Sequence, residues 1–325
     1  MYITVHVDDI IVASTDIRLI NRFEQEMNKL LVMKSLGDLQ YYLGLQYEQE
    51  ESGIFLVHQK YYIEKKLQEF NLSDSRPSKI PIDPEYVRNR KMQENSAMKN
   101  SEVYRKAIGS LLYLANNTRP DIAVGTSILA RCVSDPKQSD WTEVKRMFHY
   151  LNYTKDKKLK LGNVQEQDSQ QLIGYADADW GNNVIDRKSN SGYLLKYLGA
   201  PITWASRKQS LVSLSSTEAE YIALTECVQE ALWVRRILDD FNQDIEQPIV
   251  IFEDNQSCVK MLQKDKTAVS QRTKHIATKY HFIRDLYQSQ IVDVRYLPSE
   301  QMIADLLTKP LGAQKIVQLL KDILI

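Results

Sequence analysis

Cysteine is scarce: only Cys132, Cys227 and Cys258 occur, and they are far apart. An odd, widely spaced trio supports neither a disulfide framework nor a zinc site, and it fits a reducing compartment. An excess of one charge is also missing. Lys and Arg total 42 and Asp and Glu total 42, so no global field draws the chain to nucleic acid. Any such binding must come from local patches. Long apolar runs are absent as well. The apolar N-terminal stretch MYITVHVDDIIVAS carries Asp8 and Asp9 at its centre, which fits neither a signal peptide nor a membrane span. The chain is therefore expected to be soluble, with no membrane partner. What is present is a globular composition, 43% hydrophobic over 325 residues, enough for about two or three domains.

The stretch LIGYADADW, Leu172–Trp180, is a short apolar strand ending in Asp177 and Asp179 before a Gly-Asn-Asn turn. Three further carboxylates stand where an apolar element begins or ends: Glu220 in SSTEAEYIAL, Asp254 in IVIFEDNQS and Asp305 in MIADLLTKPL. Several carboxylates share one site only when a cation offsets their repulsion, and hard divalent ions take oxygen ligands. Two ions about 3.5–4 Å apart would clamp the attacking and leaving oxygens of a phosphodiester displacement. Asp179 is the rival of Asp177, Glu218 of Glu220, and Glu253 of Asp254. Glu218 has a structural use, because Ser215 followed three residues on by Glu218 forms a capping box. Strand alternation does not choose between Glu253 and Asp254.

From the N-terminus, Tyr2–Val7 and Ile10–Ser14 read as a hairpin with acids at its tip. Helices are expected at Asp16–Leu31 and Lys60–Phe70. This segment resembles the end of the palm and the start of the thumb in reverse transcriptases of copia-type retrotransposons. The likeness rests on HVDD, LGDLQYYLGL and HQKYYIEKKLQEFNL. It implies that Asp8 and Asp9 are metal ligands, with His6 in place of the family's tyrosine. The family's third metal-binding aspartate and its fingers lie upstream of this motif, so the chain is expected to be too truncated to polymerise. Residues 73–101, with Pro77, Pro81 and Pro84, read as a flexible linker. Tyr104–Ala115, Asp121–Cys132 and Trp141–Leu151 carry apolar residues at helical spacing and predict a small bundle, with Trp141 and His149 as packing residues.

After the polar run Gln165–Gln171, strands are expected at Leu172–Asp177, Gly192–Leu198, Pro201–Ala205, Ile249–Glu253 and Ile291–Leu297. A long helix follows the third strand, helices at Asn255–Gln263 and Ile276–Ser289 follow the fourth, and the tail is helical. That order predicts an α/β fold with a mixed five-stranded sheet and flanking helices. The order, the acids and the motifs DRKSNSGYLL, WASRKQSLVSLSSTEAEYIAL, EDNQS, RTKHIATKYHFIRD and ADLLTKPL resemble the ribonuclease H domain of copia-type polyproteins. The expected organisation is a truncated palm and thumb (1–72), a linker (73–101), a helical connection (102–164) and a ribonuclease H-like domain (165–325).

The resemblance implies metal-dependent hydrolysis of the RNA strand of RNA–DNA hybrids. Asp177, Glu220, Asp254 and Asp305 would be the catalytic metal ligands for two Mg²⁺ ions, with Mn²⁺ as a substitute. Arg272, Lys274, His275 and Lys279 near a helix start, and Arg207 and Lys208 after the third strand, are candidates for phosphate contact. Implied partners are retrotransposon RNA and cDNA and the remainder of the Pol polyprotein, in the cytoplasm or in a virus-like particle, with the nucleus as a further setting. Tyr296–Asp305 lacks the mobile histidine that many ribonucleases H place before the last acid. The alternative is a decayed or domesticated copy that binds nucleic acid or a protein partner without cutting.

Overall fold

The computed structural model describes residues 1–74, 76–92, 96–98, 100–162, 172–181, 186–245, 248–263 and 277–325. The chain opens on an antiparallel hairpin of β1 (Tyr2–His6) and β2 (Asp9–Ala13), turning at Val7 with φ of 53°. All of β1 is exposed, because two strands alone have nothing to bury a face against. Helix α1 (Ile17–Asn28), capped by Asp16, buries no residue either. Strands β3 (Tyr41–Tyr42), β4 (Leu45–Gln49) and β5 (Phe55–His58) form an antiparallel sheet, and α2 (Lys60–Glu69) follows.

Within the expected linker 73–101, the described residues 76–92 are packed rather than free on the surface. Ile82 is fully buried, and α3 (Tyr86–Met92) is pinned to the helices that follow. The Tyr86 hydroxyl donates to Asp140 Oδ1 at 2.7 Å, and Arg90 pairs with the same carboxylate at 2.8 Å. Few apolar side chains occur here, so periodicity could not show a segment held mainly by polar anchors.

The connection consists of α4 (Ser101–Asn117), a short 3₁₀ turn, α5 (Ala123–Ala130) and α6 (Gln138–Tyr153). Strand β6 (Leu159–Leu161) then pairs back onto β5, an addition with no sequence signal beyond three residues. Three antiparallel strands follow: β7 (Leu172–Asp179), β8 (Asn190–Tyr197) and β9 (Ala200–Lys208). Next come α7 (Ser216–Asp240), β10 (Ile249–Glu253), α8 (Gln256–Gln263), α9 (Ala277–Gln288) and β11 (Val292–Tyr296). The single-turn α10 (Asp305–Thr308) and α11 (Ala313–Leu320) close the chain. The sheet order β11-β10-β7-β8-β9, with β10 parallel to both neighbours, is the mixed five-stranded sheet with flanking helices of a ribonuclease H-like fold.

The core is where the expected boundaries blur. One cluster lies between the sheet and α7–α9, around Leu195, Tyr221, Val228 and Ile251. The other joins Ile108, Leu111, Leu129 and Met147 of the connection to Ile303, Leu306, Ile316 and Leu320 near the C-terminus. Trp204 Nε1 on β9 donates to Ala115 O at 2.7 Å, and Lys158 and Ile325 exchange backbone hydrogen bonds at 3.0 Å each. The connection therefore forms one face of the packing around the sheet. No helix among the described residues is long and apolar enough to cross a membrane.

Candidate active site

Parallel neighbours end at the same edge of a sheet, so the exits of β7 and β10 bring Asp177 and Asp254 together. Helix α7 crosses beneath, and its Ala219 and Ala223 pack on Ala178. Side chains this small let the helix come close enough for Glu220 to reach the strand ends. One carboxylate oxygen from each of Asp177, Glu220 and Asp254 lies within 4.8 Å of the others. The Ser299 hydroxyl, from the loop after β11, donates to Asp254 Oδ2 at 2.6 Å.

Burial makes this group electrostatically expensive. Desolvation raises Glu220 to about 11, helped by the charges of Glu253, Asp177 and Asp254. It raises Asp177 to about 7 against the pull of Lys309. Glu220 Oε2 and Glu253 Oε2 are buried without a hydrogen-bond partner among the described residues. A divalent cation fits these donors: hard oxygens, surplus negative charge and a buried Glu220 oxygen without a hydrogen-bond partner.

Asp305 stands beside this group in a different state. It is fully buried, but its carboxylate pairs with Lys309 at 2.7 Å and with Lys315. Lys309 also lies 3.5 Å from Asp177 Oδ2, and the Thr308 hydroxyl donates to that same oxygen. Close approach of α10 to the sheet depends on Gly192, which pairs with Asp177 across β7 and β8. A Cβ there would lie 2.6 Å from Thr308 Cγ2 and 2.8 Å from Leu307 Cβ.

The rival acids fall elsewhere. Glu218 accepts from Leu214 N at 2.7 Å, while Ser215 Oγ accepts from Glu218 N, so Glu218 serves the start of α7. Asp179 is at the far end of β7, near Arg131, whose pKa burial lowers against the opposing charges of Asp186, Cys132 and Asp179. Glu253 is buried behind the cluster, and burial drives its carboxyl well above the usual range. Asp8 and Asp9 are exposed at the hairpin tip, with no third acid beside them among the described residues.

Of the expected phosphate contacts, Arg272, Lys274 and His275 lie outside the described residues. Lys208 is paired with Asp186 at 2.6 Å. Arg207 is exposed over the face of Tyr193, and Lys279 is half-buried, its charge acting on Glu226 of α7. The residues that composition and motif left unnoticed are Gly192, Ser299, Thr308, Lys309 and Lys315. Lys309 had a readable signal, since it stands four residues after Asp305.

Residues 1–84 match the family described as reverse transcriptase (RNA-dependent DNA polymerase). The chain is 32% identical over 315 residues to the retrovirus-related Pol polyprotein from transposon TNT 1-94 of Nicotiana tabacum, a match covering 95% of this chain and 23% of that protein. It is also 32% identical over 233 residues to a putative transposon Ty5-1 protein of Saccharomyces cerevisiae, covering 71% of this chain and 73% of that one. A solved LC11-RNase H1 isolated from compost is 17% identical, with a TM-score of 0.34, over 43% of this chain and 93% of its own. The chain belongs to the Pol polyprotein family of copia-type retrotransposons. It spans less than a quarter of the tobacco relative's length, at 23%.

Proposed function

We propose that this chain hydrolyses the RNA strand of RNA–DNA hybrids in a reaction that requires Mg²⁺ or Mn²⁺. The observation that carries this reading is the convergence of Asp177, Glu220 and Asp254 within 4.8 Å, with a buried Glu220 oxygen left unpaired. A bound divalent cation would lower the pKa of the attacking water and offset charge on the departing 3′ oxygen. The chain's own residues supply the setting. Asp177, Glu220 and Asp254 would hold the cation, while Ser299 orients Asp254 and Thr308 orients Asp177. Asp305 completes the acid set from α10, with Lys315 fixing its carboxylate.

Arg207 and Lys279 both act on Glu226 of α7, and their charges would suit the phosphates of a duplex. Discrimination of RNA from DNA would rest on the 2′-hydroxyl. Polymerisation by these residues is not part of the reading, since Asp8 and Asp9 lack a third acid beside them among the described residues. The test is cleavage of a labelled RNA–DNA hybrid by the full chain with Mg²⁺ and with chelator. Metal-dependent cutting that disappears in Asp177→Asn is expected. A folded chain that binds the ion and hybrid but never cuts would replace this reading with the non-catalytic one.

A further inference from the structure

Lys309 owes its position to local sequence. Pro310 follows it, and a residue before proline avoids helical backbone. Lys309 accordingly adopts φ −138° and ψ 144°, which ends α10 after a single turn. From there its side chain folds back four residues to Asp305 and across to Asp177. The ammonium lies 2.7 Å from Asp305 Oδ1 and 3.5 Å from Asp177 Oδ2. Both carboxylates are 1% exposed, whereas the Lys309 side chain is 35% exposed and has solvent to retreat into.

Lys315 is held differently. It donates to Asp305 and also to the Ser299 backbone oxygen at 3.0 Å, so it is tethered to a loop as well as to the acid. Among the described residues, Lys309 is paired only with the two acids. If its ammonium swings out, Asp305 keeps one cation and its place. The acids thus divide into a group of three that includes an unpaired Glu220 oxygen and a pair bridged by the partly exposed Lys309 ammonium, which meets Asp305 Oδ1 as an ion pair without hydrogen-bond geometry.

We infer that Lys309 is a built-in placeholder cation: it occupies the position between Asp177 and Asp305, so that divalent ions load in sequence, first on Asp177, Glu220 and Asp254, and then between Asp177 and Asp305 as Lys309 withdraws. The inference rests on the divalent-cation reading above and adds an order of loading and a residue that controls it. Lys309 is a positioning residue here, because it acts through the two carboxylates. An ammonium and a divalent ion cannot share so small a space, as their repulsion in a poorly solvated site is large.

The test counts Mn²⁺ bound to the full chain by calorimetry and electron paramagnetic resonance, for the parent, Lys309→Met and Lys309→Arg. The parent should bind in two separated steps. Lys309→Met keeps most of the apolar stem and removes the charge, and it should tighten the second step by about tenfold or more. Lys309→Arg should keep the steps apart. In the parent itself, acylation of Lys309 followed by mass spectrometry should be slow without metal and rise over the second step, which needs no variant to fold. An unchanged or weaker second step in folded Lys309→Met, or acylation indifferent to Mn²⁺, would overturn the inference and leave the hydrolase reading standing. If Asp177→Asn binds as many ions as the parent, the divalent-cation reading itself fails.

Discussion

Glu218 and Glu220 sit two positions apart on α7 in unlike surroundings, and substitution separates them. Glu220→Gln preserves size but removes a negative charge from the cluster, so hybrid cleavage should fall by about two orders of magnitude or more with the fold intact. Its metal-free melting temperature should hold or rise, because burial already disfavours the Glu220 carboxylate. Glu218→Gln should change little, since an amide oxygen also accepts from Leu214 N. The reverse pattern in paired assays would move the site to Glu218. A pH dependence follows from the same burial. From the ordinary value of 3.8 up to about 7, the unfolded chain has released the Asp177 proton while the folded protein keeps it. The unfolded state binds fewer protons there, so metal-free stability should fall as pH rises through that window, and Glu220 continues the loss toward about 11. Mg²⁺ should restore melting temperature at about pH 8 and do little at about pH 5, where protons compete for the same oxygens. A metal-free melting temperature that rises from about pH 5 to about pH 8 would contradict this picture. Residue patterns exposed the acids because each ends or begins an apolar element. They could not expose Ser299, Thr308 or Lys315, whose contacts arise only when distant segments meet.

The element on which the site hinges is α10, a single turn seated on the sheet through Gly192. Gly192→Ala should displace it, destabilise the protein by about 1–3 kcal/mol and lower cleavage beyond what the stability loss explains. Retention of full activity and melting temperature would show that α10 tolerates the added methyl group. The helices and strands that bear the acids were legible because long apolar faces or bounded apolar runs announce them. Strand β10 spans Ile249–Glu253 as its run of apolar residues predicts. Helix α3 and strand β6 were not legible. The first is anchored by Tyr86 and Arg90 to one buried acid, and the second is defined only by its partner β5. Long-range polar anchoring and strand addition leave no period in a sequence.

At the scale of the whole molecule, the question is which parts the acid-bearing sheet depends on, and two deletions answer it with opposite signs. No residue from 1 to 40 is buried, and the hairpin exposes Val5 at 63% and Val7 at 83%. Exposed strand edges and apolar side chains promote association. Removing residues 1–40 should therefore leave the melting temperature nearly unchanged and reduce self-association in sizing and light scattering. Removing 1–164 takes away the connection, against which Ile303, Leu306, Ile316 and Leu320 are buried. It also removes Ala115 and Arg131, which bond to Trp204 and Asn190 of the sheet at 2.7 Å each. The shorter piece should aggregate, melt at a lower temperature and lose activity, since α10 and Asp305 lean on the missing helices. Should residues 165–325 instead be monomeric, as stable as the full chain and equally active on a hybrid, the shared core would be dispensable. The boundary expected near residue 165 would then be a true domain edge.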